Sequence, residues 1–436
     1  LPQPWTGLQE RLKQRRYPVV GITCSAATFH PDAVRAARAV RRVLPEAFIL
    51  AGGGQATLNA EKFLDEAPEV DVIIAGEGEE TLVESMEWIR EKSGSTASPP
   101  PAGLVLRRDG RLVSTGSRGL IPDLDDLPMR AYDKVPLNHP IYHLHGMGRR
   151  AVGISTSRGC GDRCSYCSES RLWRSTWRGR SGELVVQEMA FLRRRFGKSL
   201  FVFNENSFNQ NRQRNEDFLE ALGKSGLKCD FWFQSRIKDI LRDRDLLDDF
   251  KKLGLYEVML GVESIDAETL KNYTKSQTLE EVKEAAALLR EKGIMVMTNV
   301  MFGDVGDTEE TLKETYDLVT RIGDFLVLTI TTPLPGTRYY EQASKEGRIE
   351  DHDFSRYDFM HAIMPNRTLT RTRIEELQKH YLRKYYTRPV VFYRMLFSSN
   401  PFIRMAYRLI MRHAWYEARN REWVQANYED PPVEVR

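Results

Sequence analysis

Cysteine is scarce in this chain: five in 436 residues, an odd number with no secretory signal ahead of them. That count argues against a disulfide framework and fits a reducing, cytoplasmic setting. Long apolar runs are missing as well, and none reaches the roughly 18 to 20 residues that a spanning helix needs. Nor does charge of one sign dominate, since 64 Lys and Arg face 61 Asp and Glu for a net charge of +3. Such a balance offers no electropositive excess for nucleic acid. The chain opens on Leu1 and not on Met, as a fragment or a processed chain would. Its length and its 41% hydrophobic content allow two or three domains with well-buried cores.

What cysteine there is lies concentrated. Cys160, Cys164 and Cys167 fall within eight residues, directly after the strand-like run 151–156, while Cys24 and Cys229 sit singly in strand-like surroundings. Thiolates three or four residues apart on one loop can surround a metal centre with little loop-closure entropy. A structural zinc site or an ordinary cluster takes four protein ligands, yet no His or fourth Cys lies within 153–199. A [4Fe-4S] cluster on three thiolates keeps one iron open for a small molecule, which marks a metal that does chemistry. The alternative is a non-catalytic protein in which three thiolates and a His hold zinc.

On either side of this loop the chain alternates strand and helix. Apolar runs at 17–25, 48–54 and 70–78 alternate with helical periodicity at 32–43, 58–65 and 79–91, the pattern of a doubly wound α/β sheet with its ligand beyond the strand ends. Gly52, Gly53, Gly76 and Gly78 would let a bulky ligand approach the backbone; turn glycines that end strands for conformational reasons give the same pattern. The Ser, Gly and Pro stretch 93–102 reads as a linker, Asp109-Gly110 as a hairpin turn, and the proline-punctuated 121–150 as an irregular crossing. Strand runs at 151–157, 199–203, 230–235, 256–262, 295–302 and 325–330 then alternate with helices at 183–196, 213–224, 244–253, 279–292 and 309–322. Six β/α units predict a partial (β/α)6 barrel with functional residues at the strand carboxyl ends. The expected domains are 1–92, 93–150 (linker and hairpin), 151–345 (barrel) and a helical region at 346–436. In that last region aromatics and arginines alternate, with Arg404, Arg408 and Arg412 four residues apart, which suits a helical cap on the barrel or a peripheral contact with a membrane. Trp173, Trp177, Phe203, Phe208, Trp232, Phe302 and Tyr339 either line a cavity for a flat or lipid-like molecule or pack as core.

The loop Cys160-x-x-x-Cys164-x-x-Cys167, with Tyr166 before the last cysteine, resembles the signature of radical S-adenosylmethionine (SAM) enzymes. The segments 20–23, 52–58 and 76–82 look like the cobalamin-binding domain that precedes the radical SAM domain in one large subgroup. The likeness covers most of the chain and, through 236–247 and 357–364, is nearest to the anaerobic magnesium-protoporphyrin monomethyl ester oxidative cyclases and related cobalamin-dependent methylases. It implies a Rossmann-like cobalamin domain before the barrel, with Gly52, Gly53, Gly76, Glu77 and Gly78 toward cobalamin. It implies that Cys160, Cys164 and Cys167 hold a [4Fe-4S] cluster whose open iron binds SAM for reductive cleavage to a 5′-deoxyadenosyl radical. Tyr166, Asn204, Glu205, Asn206, Arg236, Glu263 and Ser264 would meet SAM, with Arg236 toward its carboxylate. Residues 301–303, Gly306 and 333–337 resemble adenine-side and substrate-side loops. The implied reaction is methylation of an unactivated carbon or, alternatively, oxidative cyclisation of a tetrapyrrole. The implied partners are a tetrapyrrole or lipid-like small molecule and an electron donor such as flavodoxin or ferredoxin. Cobalamin domains of the family begin with a further strand and often an Asp-x-His-x-x-Gly loop; neither occurs in these residues, so the domain reads as partial. His30 is the one imidazole nearby, a solvated loop residue on the plain reading and a cobalt ligand on the other.

Overall fold

The computed structural model describes residues 4–92, 99–139 and 150–398, together with 402–404, 407, 408, 411, 412, 415 and 419. Its first part runs α1 (Pro4–Lys13), β1 (Val19–Thr23), α2 (His30–Val43), β2 (Phe48–Gly52), α3 (Gly54–Leu58), α4 (Ala60–Glu66), β3 (Val72–Ile74), α5 (Glu79–Lys92) and the hairpin β4 (Leu104–Arg108) and β5 (Arg111–Ser114). The five strands form one sheet in sequence order, with β1, β2 and β3 parallel and the hairpin antiparallel. Strand alternation sends Ile49 and Ala51 of β2 toward α2 and α4, while Leu50 packs with Trp88 of α5 on the other face. The hairpin turns at Asp109 (φ 53°) and Gly110 (φ 75°), the paired positive φ angles of a tight primed turn. Because β4 pairs with β3 through Leu104, Val105 and Leu106, the first sheet extends to Ser114. The hairpin therefore belongs to the first domain, and not to a connection beginning at residue 93. Residues 93–98 of the expected linker and 140–149 of the expected crossing lie outside the described residues.

The second part begins with β6 (Ala151–Ile154) and the short ribbon β7 (Ser157–Arg158), then α6 (Ser168–Leu172), the ribbon's other strand β8 (Arg178–Gly179), α7 (Gly182–Phe196), β9 (Leu200–Phe203), α8 (Arg212–Ser225), β10 (Asp230–Ser235), α9 (Ile237–Arg242), α10 (Leu247–Lys252), β11 (Leu255–Glu263), α11 (Ala267–Asn272), α12 (Leu279–Glu291), β12 (Met295–Phe302), α13 (Glu309–Ile322), β13 (Phe325–Ile330), α14 (Arg338–Lys345), α15 (Arg371–Tyr386) and α16 (Pro389–Phe397). Six parallel strands order as β6-β9-β10-β11-β12-β13, the expected half-barrel. The helices form for local reasons: Thr278 and Glu281 make a capping box on α12, and α7 starts at the Ser181 cap and stops at Gly197 (φ 70°). Outward-facing Phe203, Phe231 and Phe233 pack with Phe208, Phe218 and Phe250 beneath the helices, each fully buried ring contributing about 1.5–3 kcal/mol.

The barrel's two ends differ. At the amino end Ala151, Leu200, Tyr256, Met295 and Phe325 are plugged by Val391 of α16 and by Tyr407, and Phe402 stacks on Tyr256 at 4.0 Å. The expected helical cap is thus present, although 405, 406, 409 and 410 lie outside the described residues. Helix α15 covers the edge strand β13: Tyr386 donates to the Leu326 carbonyl (2.7 Å) and Gln378 to that of Leu328 (2.9 Å), which removes a row of open acceptors.

Candidate active site

Loops from the carboxyl ends of both sheets meet, and the cysteine loop lies among them. Several partners pin it. Ser165 donates its N–H to the Tyr273 carbonyl (2.9 Å) and its hydroxyl to that of Asn272 (2.8 Å). Ser170, at the start of α6, donates to the carbonyls of Cys164 (3.1 Å) and Cys167 (2.8 Å). Asp162 takes Arg236 (2.8 Å) and Lys238 (2.7 Å). Cys160, Cys164 and Cys167 line one cavity of about 340 Å³ with Tyr166, Asn206, Arg236, Glu263, Lys275 and Asn299. Burial pushes the thiols up, Cys164 to about 11 and Cys167 to about 12, so binding a cluster there must displace protons. Among the described residues no three His, Cys, Asp or Glu side chains converge as ligands of one metal ion. A cubane asks for something else, because each thiolate binds a different iron and the three must surround a volume. Three thiols around one cavity fit that donor set, and the convergent zinc site of the alternative reading has no counterpart among the described residues.

Opposite the thiols, strand β11 ends irregularly. Its register against β12 slips between Gly261 and Glu263, and Glu263 adopts φ 62°, a left-handed conformation that a non-glycine residue rarely takes. The turn folds the Glu263 carboxylate back onto Lys275 (2.8 Å) and under the Asn299 amide (3.2 Å). A Cβ at Gly261 would fall 2.6 Å from that carboxylate and 2.9 Å from the Lys275 nitrogen, so a side chain there would make the ion pair shift. Burial disfavours the Lys275 charge, but the attraction of Glu263 outweighs it and raises the pKa.

Several anticipated residues lie elsewhere. Asn204 is exposed and sits over Gly153, and Glu205 is buried with its carboxylate accepting from the N–H (3.1 Å) and hydroxyl of Thr156, so neither lines the cavity; Asn206 does. Ser264 is buried and accepts from the Asp266 N–H (3.0 Å). Arg236 lines the cavity while its guanidinium is held by Asp239 (2.5 Å) as well as Asp162. Met301 and Leu334, from the loops that resemble adenine-side and substrate-side segments, reach the cavity. Of the seven candidate aromatics none lines it: Phe203, Phe208 and Phe302 are core, Trp177 donates to the Ser207 carbonyl (2.9 Å), and Tyr339 donates to Asp304 (2.8 Å). Lys275 and Asn299 were not anticipated, and no local motif marks them.

The first domain supplies a wall rather than a free cradle. Glu77 is not open to a ligand: its carboxylate accepts from Arg178 (2.9 and 3.2 Å), from Arg158 and from the Ile121 N–H (2.7 Å). Gly53 (φ 101°) is tucked against the Cys24 carbonyl, and Gly52 lies near Ile74, whereas a Cβ at Gly76 (φ 86°) would meet open space. Gly78 packs against Ile74. His30 is neither solvated nor directed at a ligand. It is 1% exposed, 2.9 Å from Glu66, and wedged edge-on between Phe63 and Phe354; burial lowers its pKa despite Glu66. Of the anticipated cobalamin residues, Gly76 alone offers the open space a bulky group needs.

Residues 154–319 match the radical SAM superfamily model, and residues 1–85 match the B12 binding domain model. The chain carries a radical SAM domain behind a B12 binding domain. The anaerobic magnesium-protoporphyrin IX monomethyl ester cyclase of Cereibacter sphaeroides is 29% identical over 88% of this chain and 62% of its own length. The hopanoid C-3 methylase of Methylococcus capsulatus is 28% identical over 77% and 62%. The chain therefore spans about three-fifths of the length of these two relatives. Among solved structures, the radical SAM methyltransferase TsrM from Kitasatospora setae, with tryptophan and a SAM analogue, superposes at a TM-score of 0.70 over 96% of this chain and 92% of its own, at 19% identity. That likeness shows the same fold. A radical SAM domain implies a [4Fe-4S] cluster and SAM, and a B12 binding domain implies cobalamin.

Proposed function

We propose that this chain is a cobalamin-dependent radical SAM methyltransferase acting on an unactivated carbon of a tetrapyrrole or lipid-like molecule. The observation that carries it is the single cavity in which three loop thiols face the Glu263–Lys275 pair, at the end of the barrel that meets the B12 domain. When bound, the cluster with SAM supplies a 5′-deoxyadenosyl radical and cobalamin supplies a transferable methyl group. Cys160, Cys164 and Cys167 hold the cluster. Glu263 and Lys275 offer one acceptor and one cation for an ammonium and a carboxylate, and Arg236, fixed by two aspartates, gives a second oriented cation. Tyr166, Met259, Met301 and Phe359 give the reacting space apolar walls. Flavodoxin or ferredoxin would donate the electron in a cytoplasmic setting; among the described residues no helix is long and apolar enough to cross a membrane.

Oxidative cyclisation of a tetrapyrrole is the second reading, favoured by the similarity to the cyclase over 88% of the chain. Anaerobic reconstitution with iron and sulfide, followed by SAM, dithionite and cobalamin, separates the two. Methyl transfer consumes SAM to both S-adenosylhomocysteine and 5′-deoxyadenosine, whereas cyclisation gives 5′-deoxyadenosine without the first. If 5′-deoxyadenosine never forms, both readings fail.

Lys275→Met tests the cavity directly. Stranding the buried Glu263 carboxylate is expected to weaken SAM binding by about tenfold or more, measured by anaerobic calorimetry, with iron and sulfide content unchanged. Unchanged affinity would remove the pair from the SAM site.

A further inference from the structure

The amino end of the barrel, opposite the cysteine loop, carries two features that neither catalysis nor folding uses. Helix α16 presents its apolar residues outward: Val391 is buried, but Phe392, Tyr393, Leu396 and Phe397 form one exposed stripe, with Phe397 67% exposed and the Tyr393 and Phe397 rings 5.3 Å apart. The stripe cannot simply turn inward. Arg388, ahead of the helix, donates to the carbonyls of Tyr385 (3.0 Å) and Thr320 (3.2 Å), and Arg394 within it pairs with Asp324 (3.0 Å). On the same end, where β9, β10 and β11 begin, Arg150, Arg193, Lys228, Lys251 and Lys252 line a surface depression of about 700 Å³, with Asp230 its one carboxylate.

An exposed aromatic stripe on the same end of the barrel as concentrated positive charge matches a surface that is apolar within and anionic at its boundary. Residues 387–416 strengthen the match, holding five arginines and no Asp or Glu, with Arg408 and Arg412 exposed. A second copy of the chain fits poorly, since a two-fold contact through this face would set arginine against arginine. We propose that the amino end of the barrel docks on an anionic phospholipid bilayer, the 392–397 stripe seated in the interface and the basic depression facing lipid phosphates. Docked this way, the cavity at the carboxyl end points away from the lipid.

Vesicle flotation with the full chain tests this. Binding to phosphatidylcholine vesicles containing phosphatidylglycerol is expected to exceed binding to phosphatidylcholine alone by roughly tenfold or more, and to fall with salt. Leu396→Ser with Phe397→Ser should reduce binding by about tenfold while leaving the melting temperature unchanged, because both side chains are exposed. Lys228→Glu with Lys252→Glu should remove the preference for anionic vesicles. Equal binding to both vesicle types, or binding indifferent to either pair of substitutions, overturns the proposal. So does sedimentation showing a dimer that Leu396→Ser with Phe397→Ser abolishes, which would make a second copy the occupant.

Discussion

Cys164→Ala is expected to reduce 5′-deoxyadenosine formation to the level seen without enzyme, while Cys24→Ala and Cys229→Ala leave it near wild type. The three positions differ in setting and not merely in number. Cys164 is buried at the cavity wall, its carbonyl held by Ser170, on a loop fixed by Asp162 and Ser165. Cys24 is fully buried in the first sheet's core and Cys229 lines the outer depression of the barrel, so neither reaches the cavity that the three loop thiols share. Anaerobic iron and sulfide analysis beside product formation would locate the defect in cluster retention. Undiminished 5′-deoxyadenosine from the Cys164 variant would refute the cluster assignment.

Glu77→Ala should be the most destabilising single substitution at the junction between the two domains. Its side chain is 2% exposed, and it neutralises Arg178 and Arg158, whose side chains are only 10% and 22% exposed. Removing one member of a buried, hydrogen-bonded charge group costs about 3–5 kcal/mol, because the remaining charges stay desolvated. Chemical denaturation should therefore show the B12 domain unfolding ahead of the barrel. Acid probes the same group. Burial pushes the Glu77 pKa up, but hydrogen bonds from Arg178, Arg158 and the Ile121 N–H more than offset it, and the net shift is downward. A carboxylate with a lowered folded pKa contributes stability that is complete above its ordinary range and is lost as pH falls through the folded value. The melting temperature of the native chain should accordingly fall in acid more steeply than that of Glu77→Gln; parallel curves would show that Glu77 does not hold the junction.

Much of the fold was legible because its signals are local. The strands at Asp230–Ser235, Met295–Phe302 and Phe325–Ile330 stand where their apolar runs put them, each bounded by turn residues. The cysteine loop was legible for the same reason, since its three cysteines lie within eight residues. Long-range partners left no such mark. Glu77 followed a glycine at a strand end and read as part of a cofactor cradle, yet its partners stand 81 and 101 residues further on. Glu205 resembled a SAM contact by position, but its carboxylate turns to Thr156, 49 residues earlier. Lys275 could not be singled out, because its importance arises from the backward turn at Glu263, a conformation that no residue preference predicts. The hairpin's place was missed for a related reason: linker composition before it obscured strand pairing that depends on β3.

The contact between the domains bears on how such proteins could be recombined. Gly336, in the loop after the last barrel strand, sits so close to α3 that a Cβ there would fall 2.8 Å from Leu58, while one at Gly54 would meet Leu172 of α6 at 3.5 Å, an ordinary contact. With Glu77 gripped by two barrel arginines, the fit is specified from both sides to within a methyl group. An exchange that grafted residues 1–114 from a distant relative onto this barrel would have to carry Glu77 and Leu58 along with the arginines and Gly336 that receive them. The two halves, separable in sequence, can be inherited only as a matched pair.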